Sequence, residues 1–279
     1  MIGPLPRLHA VTDDRVIAGG DGAAVLARAT AMASVAGPAL AVHVRSRTLG
    51  GAAFHALGAR LREALRPYGA WLVVNGRADV ARAVAAEAVV TGRGGLTARD
   101  VKRVAPRALA GRSVHDPEET QKAVAEAADF LVAGAVWATA SHPEAAPAGL
   151  DLVRAAAATG RPVVAIGGVT PERVSEALAA GAHGVAAIRA LWDAVDVAAA
   201  TAAFLDVLPS GDLVELVING EPRRVRRGLT LAALLGDLSL DPRAVVVEHN
   251  RRIVRRDALD GERIAEGDRI ELVHFVGGG

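Results

Sequence analysis

Pro162-Val163-Val164-Ala165-Ile166-Gly167-Gly168-Val169-Thr170-Pro171-Glu172 carries three structural signals in one run. Pro162–Ile166 is a short apolar stretch, the form taken by a strand buried on both faces. Gly167-Gly168 ends it. Thr170-Pro171-Glu172 then opens a helix, with a capping residue, a proline at the first helical position and an acid in the first turn. The helix predicted over Pro171–Ala180 stops at Gly181. Strand, glycine turn and capped helix form the repeating unit of a parallel α/β fold.

The same alternation recurs on both sides. Strands are predicted at Arg7–Thr12, Ala39–Arg45, Ala70–Asn75, Ala88–Thr91, Arg107–Arg112, Asp129–Ala133, Pro162–Ile166 and His183–Ile188. Helices are predicted between them at Ala23–Val35, Gly51–Arg66, Arg77–Ala86, Thr97–Val104 and Pro117–Glu126, the last announced by Asp116-Pro117-Glu118-Glu119. Eight alternations in roughly two hundred residues fit a closed (β/α)8 TIM barrel. A doubly wound open sheet is the alternative, but no strand leads into Gly-x-Gly-x-x-Gly. Gly92-Arg93-Gly94-Gly95 lacks that spacing and any phosphate-loop lysine.

The pattern changes after Leu208-Pro209-Ser210-Gly211-Asp212. Beyond it, Leu213–Asn219 reads as a strand, Asn219-Gly220 as a tight hairpin turn, and Arg223–Arg226 as the returning strand. A short helix over Thr230–Leu238 follows, then Val245–Glu248, a turn around Asn250, and Arg269–Phe275. The expected organisation is a barrel over 1–208, a linker over 209–212, and a small α+β, ubiquitin-like β-grasp unit over 213–279.

Composition narrows the chemistry. A hydrophobic content of 51% is ample for a large core, and a net charge of +1 gives no global field for nucleic acid or membrane. Arginines cluster at 223–227 and 251–256, read as a solvated face or a docking surface for acidic partners. There is no cysteine, which excludes disulfides, thiolate metal sites and cysteine nucleophiles. No signal-peptide pattern or long apolar run is seen, so a cytoplasmic protein is expected.

In a barrel the site forms where the strands end. Those ends carry Thr12 and Asp13, Arg45 and Arg47, Asn75 and Arg77, Ser113 and His115, Thr139, Ser141 and His142, Gly167 and Gly168, and Ile188-Arg189. Gly167-Gly168 and the helix opening at Ile188-Arg189 read as a phosphate site, through closely approachable backbone amides and a helix N-terminus. A tight turn needing glycine for packing alone is the other reading.

Five motifs now occur in order: Leu8-His9-Ala10-Val11-Thr12-Asp13, Val42-His43-Val44-Arg45, Val74-Asn75-Gly76-Arg77, Gly111-Arg112-Ser113-Val114-His115 and Val164–Val169. Together they resemble the thiamine phosphate synthase/TenI superfamily over residues 7–205. The resemblance implies one of two activities. One joins a thiazole phosphate to a pyrimidine pyrophosphate and uses magnesium; the other, the TenI-type thiazole tautomerase, aromatises a carboxythiazole phosphate without metal. The synthase pattern has an aspartate magnesium ligand where this chain has Gly76, and a second acid near Gly95. It also has a lysine where His142 follows Thr139-Ala140-Ser141. Without hard oxygen ligands, magnesium has little to hold it. The tautomerase is therefore the expected activity, with no tightly bound cofactor and no metal. A synthase barrel, or a catalytically silent one presenting the carrier, is the alternative.

Tautomerisation needs one acid/base group near neutral pKa, a phosphate anchor and a cation for the carboxylate. His142 is the first choice for the shuttle and His115 the second. A TenI-type catalytic histidine just after strand six falls near Ala135, where this chain has none. Arg45 is the candidate for the carboxylate; Asn75, Ser113, Thr139, Ser141, Gly167, Gly168, Ile188 and Arg189 complete the expected substrate and phosphate contacts. His43 shares Arg45's strand parity and is read as a hydrogen-bonded core residue.

Val217–Pro222, Thr230–Leu235, Val247–Asn250, Gly267–Ile270 and Val276-Gly277-Gly278-Gly279 resemble the ThiS sulfur carriers. A side-chain-free Gly278-Gly279 end is thin enough to enter another enzyme's active site. The resemblance implies adenylation of Gly279 by a ThiF-type enzyme using ATP, conversion to a thiocarboxylate, and sulfur delivery to a thiazole synthase. A cysteine-free chain is consistent with a thiocarboxylate in place of a persulfide. A homo-oligomer is compatible with the sequence.

Overall fold

The computed structural model describes residues 4–18, 22–139, 146–209, 213–226, 228–238 and 240–274. Strands β1 (Leu8–Val11), β2 (Leu40–Val44), β3 (Trp71–Asn75), β4 (Ala88–Thr91), β5 (Leu109–Val114), β6 (Phe130–Ala133), β7 (Val163–Ile166) and β8 (Gly184–Ala187) close into a parallel barrel in that order. The ring closes through β8 on β1, with Leu8 opposite Val185. The described helices in this part are α1 (Asp14–Ala18), α2 (Ala23–Ala36), α3 (Gly51–Leu65), α4 (Ala78–Ala83), α5 (Ala98–Val104), α6 (Pro117–Ala125), α7 (Gly149–Ala157), α8 (Val174–Ala179), α9 (Arg189–Trp192) and α10 (Val197–Leu205).

Period-two alternation sorts each strand's residues between two cores. Leu8, Ala10, Leu40, Val42, Leu72, Val74 and their counterparts face the helices. Val11, Ala41, Trp71, Val73, Val90, Phe130, Val132 and Val164 fill the barrel interior. Packing there is complementary in size: a Cβ on Gly111 would lie 2.4 Å from Phe130 Cζ, so the ring occupies the space a side chain would need.

Two local expectations are corrected. Strand five extends to Val114, so Ser113 lies within it and not after it; Arg112 anchors this extension through buried hydrogen bonds to the β4 side. The helix read from Pro171 begins as a 3-10 turn over Pro171–Arg173, with Arg173 N–H bonded to the Thr170 carbonyl and no side-chain cap from Thr170. The cap expected at Asp116 does form, its carboxylate accepting from Glu119 N–H at 2.8 Å.

A second sheet follows, of β9 (Leu213–Ile218), β10 (Glu221–Arg226), β11 (Val245–His249), β12 (Arg252–Val254) and β13 (Arg269–His274), with α11 (Leu231–Asp237) against it. Its order is β10-β9-β13-β11-β12, with β13 parallel to β9. This is the expected β-grasp arrangement, plus the short β12. The Asn219-Gly220 hairpin turn forms with both residues at positive φ. Leu231, Leu234 and Leu235 from α11 pack on Val214, Leu216, Ile270 and Leu272 in a core separate from the barrel's. Most of the linker expected over 209–212 lies outside the described residues. Among the described residues no helix is long and apolar enough to cross a membrane.

Candidate active site

The parity that fills the barrel interior also builds its mouth. His43 and Arg45 follow Ala41 at two-residue steps, Asn75 follows Trp71 and Val73, and Ser113 follows Leu109 and Gly111. Ile166 on β7 and Ile188, the residue after β8, belong to the same inward series. Arg45, Asn75, Ser113 and Ile188 are thus brought to one rim by strand geometry alone.

Below that rim runs a buried polar chain. His9 Nε2 lies 3.0 Å from the Pro6 carbonyl, His9 Nδ1 lies 2.8 Å from His43 Nε2, and His43 Nδ1 lies 3.1 Å from the Asn75 side-chain oxygen. Burial, with the neighbouring His43 adding to it, pushes the His9 pKa well below its usual value. Burial likewise pushes His43 down to about 4. Both rings are neutral at pH 7. Because the Pro6 carbonyl only accepts, His9 carries its proton on Nε2 and accepts at Nδ1 from His43 Nε2–H. His43 Nδ1 is then an acceptor. The half-turned Asn75 carboxamide, with its NH2 on His43 and its oxygen toward the mouth, satisfies the whole chain. The reverse polarity would set a bare His9 nitrogen against a carbonyl. His9, absent from the sequence-based site, is therefore the foot of the chain that orients Asn75.

Arg45 is half-buried, and its guanidinium makes no hydrogen bond to a described residue. Burial lowers its pKa, Arg47 adds to that, and Asp13 and Asp14 oppose it. Its backbone is held by Thr12, whose hydroxyl accepts from Arg45 N–H at 2.9 Å. Asp14 organises the loop after β2, accepting from the Ser46 hydroxyl at 2.5 Å, Arg47 N–H at 2.9 Å and the Thr48 hydroxyl at 2.9 Å. These bonds, Ser46 foremost, hold its carboxyl at about 2. Arg77 pairs with Asp79 through two hydrogen bonds of 3.0 and 2.7 Å, so it is engaged outside the mouth.

Gly167 and Gly168 have φ of +99° and +66°. A Cβ on Gly167 would lie 2.6 Å from Ala135 Cα, and one on Gly168 2.6 Å from the Ala138 carbonyl. Glycine is required here because the segment after β6 lies directly on this turn. Arg173 fastens the pair, donating to the Gly168 carbonyl at 2.5 Å while its guanidinium lies 5.3 Å from the Trp137 ring centre. The Gly168 and Val169 amides donate to no described residue. Exposed Arg189 opens α9, which is a single turn of four residues, so the anion preference there rests on local N–H groups and not on a long helix dipole.

His115 is exposed and tied to the start of α6, its N–H and Nδ1 lying 2.9 and 2.8 Å from Glu119 Oε2. Thr139 is half-buried at the edge of the described segment. Ser141 and His142 lie outside the described residues, as do Gly278 and Gly279.

The residues present do not fit the magnesium ion that the synthase resemblance implies. Gly76 has φ of +78° and open space where a side chain would start, and Gly95 offers no ligand either. Asp14 is saturated by its loop. Among the described residues no group of three or more His, Cys, Asp or Glu is placed to hold a metal ion.

Residues 8–191 match the family model described as thiamine monophosphate synthase, and residues 216–279 match the ThiS family model. The chain is 38% identical over 198 residues to the thiamine-phosphate synthase of Methanoregula boonei, covering 69% of this chain and 88% of that one. It is 36% identical over 178 residues to the thiamine-phosphate synthase of Moorella thermoacetica, covering 63% and 85%. Among solved structures, the thiamine phosphate pyrophosphorylase of Pyrococcus furiosus superposes with a TM-score of 0.63 at 29% identity, covering 72% of this chain and 94% of that one.

Proposed function

This chain belongs to the thiamine monophosphate synthase family, with a ThiS-like sulfur-carrier domain fused behind its barrel, and we propose that the barrel forms thiamine phosphate from a thiazole phosphate and a pyrimidine pyrophosphate. The chain's role lies in thiamine and thiazole biosynthesis. The observation that carries the synthase reading is the similarity to named thiamine-phosphate synthases along most of their length. The mouth supports a phosphorylated, anionic substrate. Gly168 and Val169 amides receive the phosphate beside Arg189, Arg45 supplies a cation, and Asn75 presents an oxygen to a donor on the ligand. Gly76 and Gly95 supply no carboxylate to hold magnesium at this mouth.

That same donor set supports a second reading, the thiazole tautomerase. It needs a proton shuttle and a phosphate anchor but no metal. His142 is the proposed shuttle; His115 would first have to leave Glu119. In both readings the carrier's Gly279 is adenylated by a ThiF-type enzyme and then serves thiazole synthase as a thiocarboxylate.

One pair of assays separates the readings. Purified protein is incubated with thiazole phosphate and pyrimidine pyrophosphate, with and without magnesium, and thiamine phosphate is quantified. In parallel, the carboxythiazole phosphate tautomer is followed by ultraviolet absorbance as it aromatises. Product in the first assay supports the synthase. Product only in the second replaces it with the tautomerase.

A further inference from the structure

The carrier is seated on the barrel. Arg223 on β10 lies with its guanidinium 4.7 Å from the ring centre of Tyr68. Gly37 is wedged between two carbonyls: a Cβ there would lie 2.7 Å from the Arg224 oxygen and 3.5 Å from the Tyr68 oxygen. Around these contacts Pro38 and Gly69 of the barrel face Ile218, Val225 and Leu238 of the carrier across a shallow cleft. β10 is an edge strand of its sheet. An uncovered edge invites pairing with other chains, and here the barrel covers it.

The end of the barrel used is fixed by the chain path. Gly37–Ala39 runs directly into β2, and Arg66–Tyr68 is separated from β3 by only Gly69 and Ala70. All barrel strands are parallel, so both segments lie at the strands' N-terminal ends. Arg45, Asn75, Gly167 and Gly168 lie at the other end. Strands of this length separate the two ends by about 13–16 Å before loops are added.

We propose that the barrel's N-terminal face is a docking platform that holds the carrier through β10, so that the carrier presents sulfur to other proteins and not to its own barrel's mouth. Arg223 stacks on Tyr68 by a cation–π contact, and Gly37 lets the two backbones approach. On this account the fusion fixes the carrier's orientation while leaving the mouth open to small substrates. The sulfur clause rests on the carrier reading; the docking clause does not.

The absence of native cysteine allows single-site spin labelling of the full chain. A nitroxide on Arg66→Cys, an exposed position on the docking face, should broaden the amide signals of Arg223–Val225. A nitroxide on Arg47→Cys, exposed at the mouth, should broaden Arg223–Val225 far less than the label at position 66 does. Arg223→Glu should abolish the broadening from position 66 and release the carrier to tumble faster than the barrel. Sharp carrier signals with the label at 66, or broadening of Arg223–Val225 as strong from 47 as from 66, would overturn the proposal. Arg223→Ala, which keeps the strand's charge pattern milder, must weaken the broadening in the same direction. Mass spectrometry after adenylation and sulfuration tests the carrier reading separately: an unchanged mass there removes the sulfur clause, whatever the labels report.

Discussion

His9 Nδ1 stands 2.8 Å from His43 Nε2 inside the barrel, two neutral imidazoles sharing one proton position where hydrophobic side chains would ordinarily fill the layer. This pair has consequences for pH. Both folded-state pKa values are depressed, so their stabilising effect is complete above about pH 6.5, the unfolded value. It is lost as pH falls, because the unfolded chain takes up protons that the folded chain refuses, down to about pH 4 for His43. His43 alone should cost roughly 3 kcal/mol across that window. Urea unfolding between pH 7 and 4.5 measures it, and His43→Gln should flatten the slope. A wild-type slope already flat in that range would refute the neutral pair.

The polarity of the chain is visible by nuclear magnetic resonance. Nitrogen-15 shifts should report both rings protonated on Nε2 and bare on Nδ1. With the Asn75 carboxamide half-turned, its NH2 faces His43 Nδ1, and Asn75→Asp replaces that donor with an acceptor. The expected result is a His43 pKa raised above its value of about 4 and weaker ligand binding; an unmoved pKa would assign Asn75 no orienting partner.

Gly168→Ala tests the phosphate cradle. The substitution forces a Cβ to within 2.6 Å of the Ala138 carbonyl at a φ of +66°. Strain and overpacking of this kind cost about 1–3 kcal/mol. Calorimetric titration with thiazole phosphate should show weakened affinity for the variant. Full affinity in a folded Gly168→Ala protein would leave the glycines with a packing role only.

Buried Arg112 donates to the Thr91 hydroxyl at 2.8 Å and the Leu96 carbonyl at 2.9 Å, and its Nε lies 3.4 Å from Glu126 without hydrogen-bond geometry. Arg112→Met would strand the Glu126 carboxylate and should destabilise the protein by roughly 3–5 kcal/mol. Pairing it with Glu126→Gln should recover part of that loss in thermal unfolding. No recovery would mean that the bonds to the β4 side, and not the ion pair, carry the effect.

How far the sequence was readable follows from the range of the interactions. The eight strands stand out because each is a short apolar run between turn signals, and the Asp116 cap is visible because its signal is contained within four residues. Arg45 and His43 were assigned to the inward face by parity alone. His9 was not, since its importance depends on β1 and β2 being neighbours in a particular register, with Val11 opposite His43. Ser113 was placed outside its strand because the extension is secured by Arg112 hydrogen bonds to a different strand. The four-residue α9 and three-residue β12 are too short to show a period. The metal-ligand gap at Gly76 was legible because it is a matter of residue type.

Gly37 bears on how such a chain can be recombined. Its missing side chain is a tolerance shared by two folding units, since it belongs to the barrel yet is dictated by a carbonyl of the carrier. A swap that moved only residues beyond the linker onto another barrel would leave half of the joint behind. The transplantable piece is the carrier together with a receiving surface that has glycine at the equivalent of Gly37 and an aromatic ring at the equivalent of Tyr68.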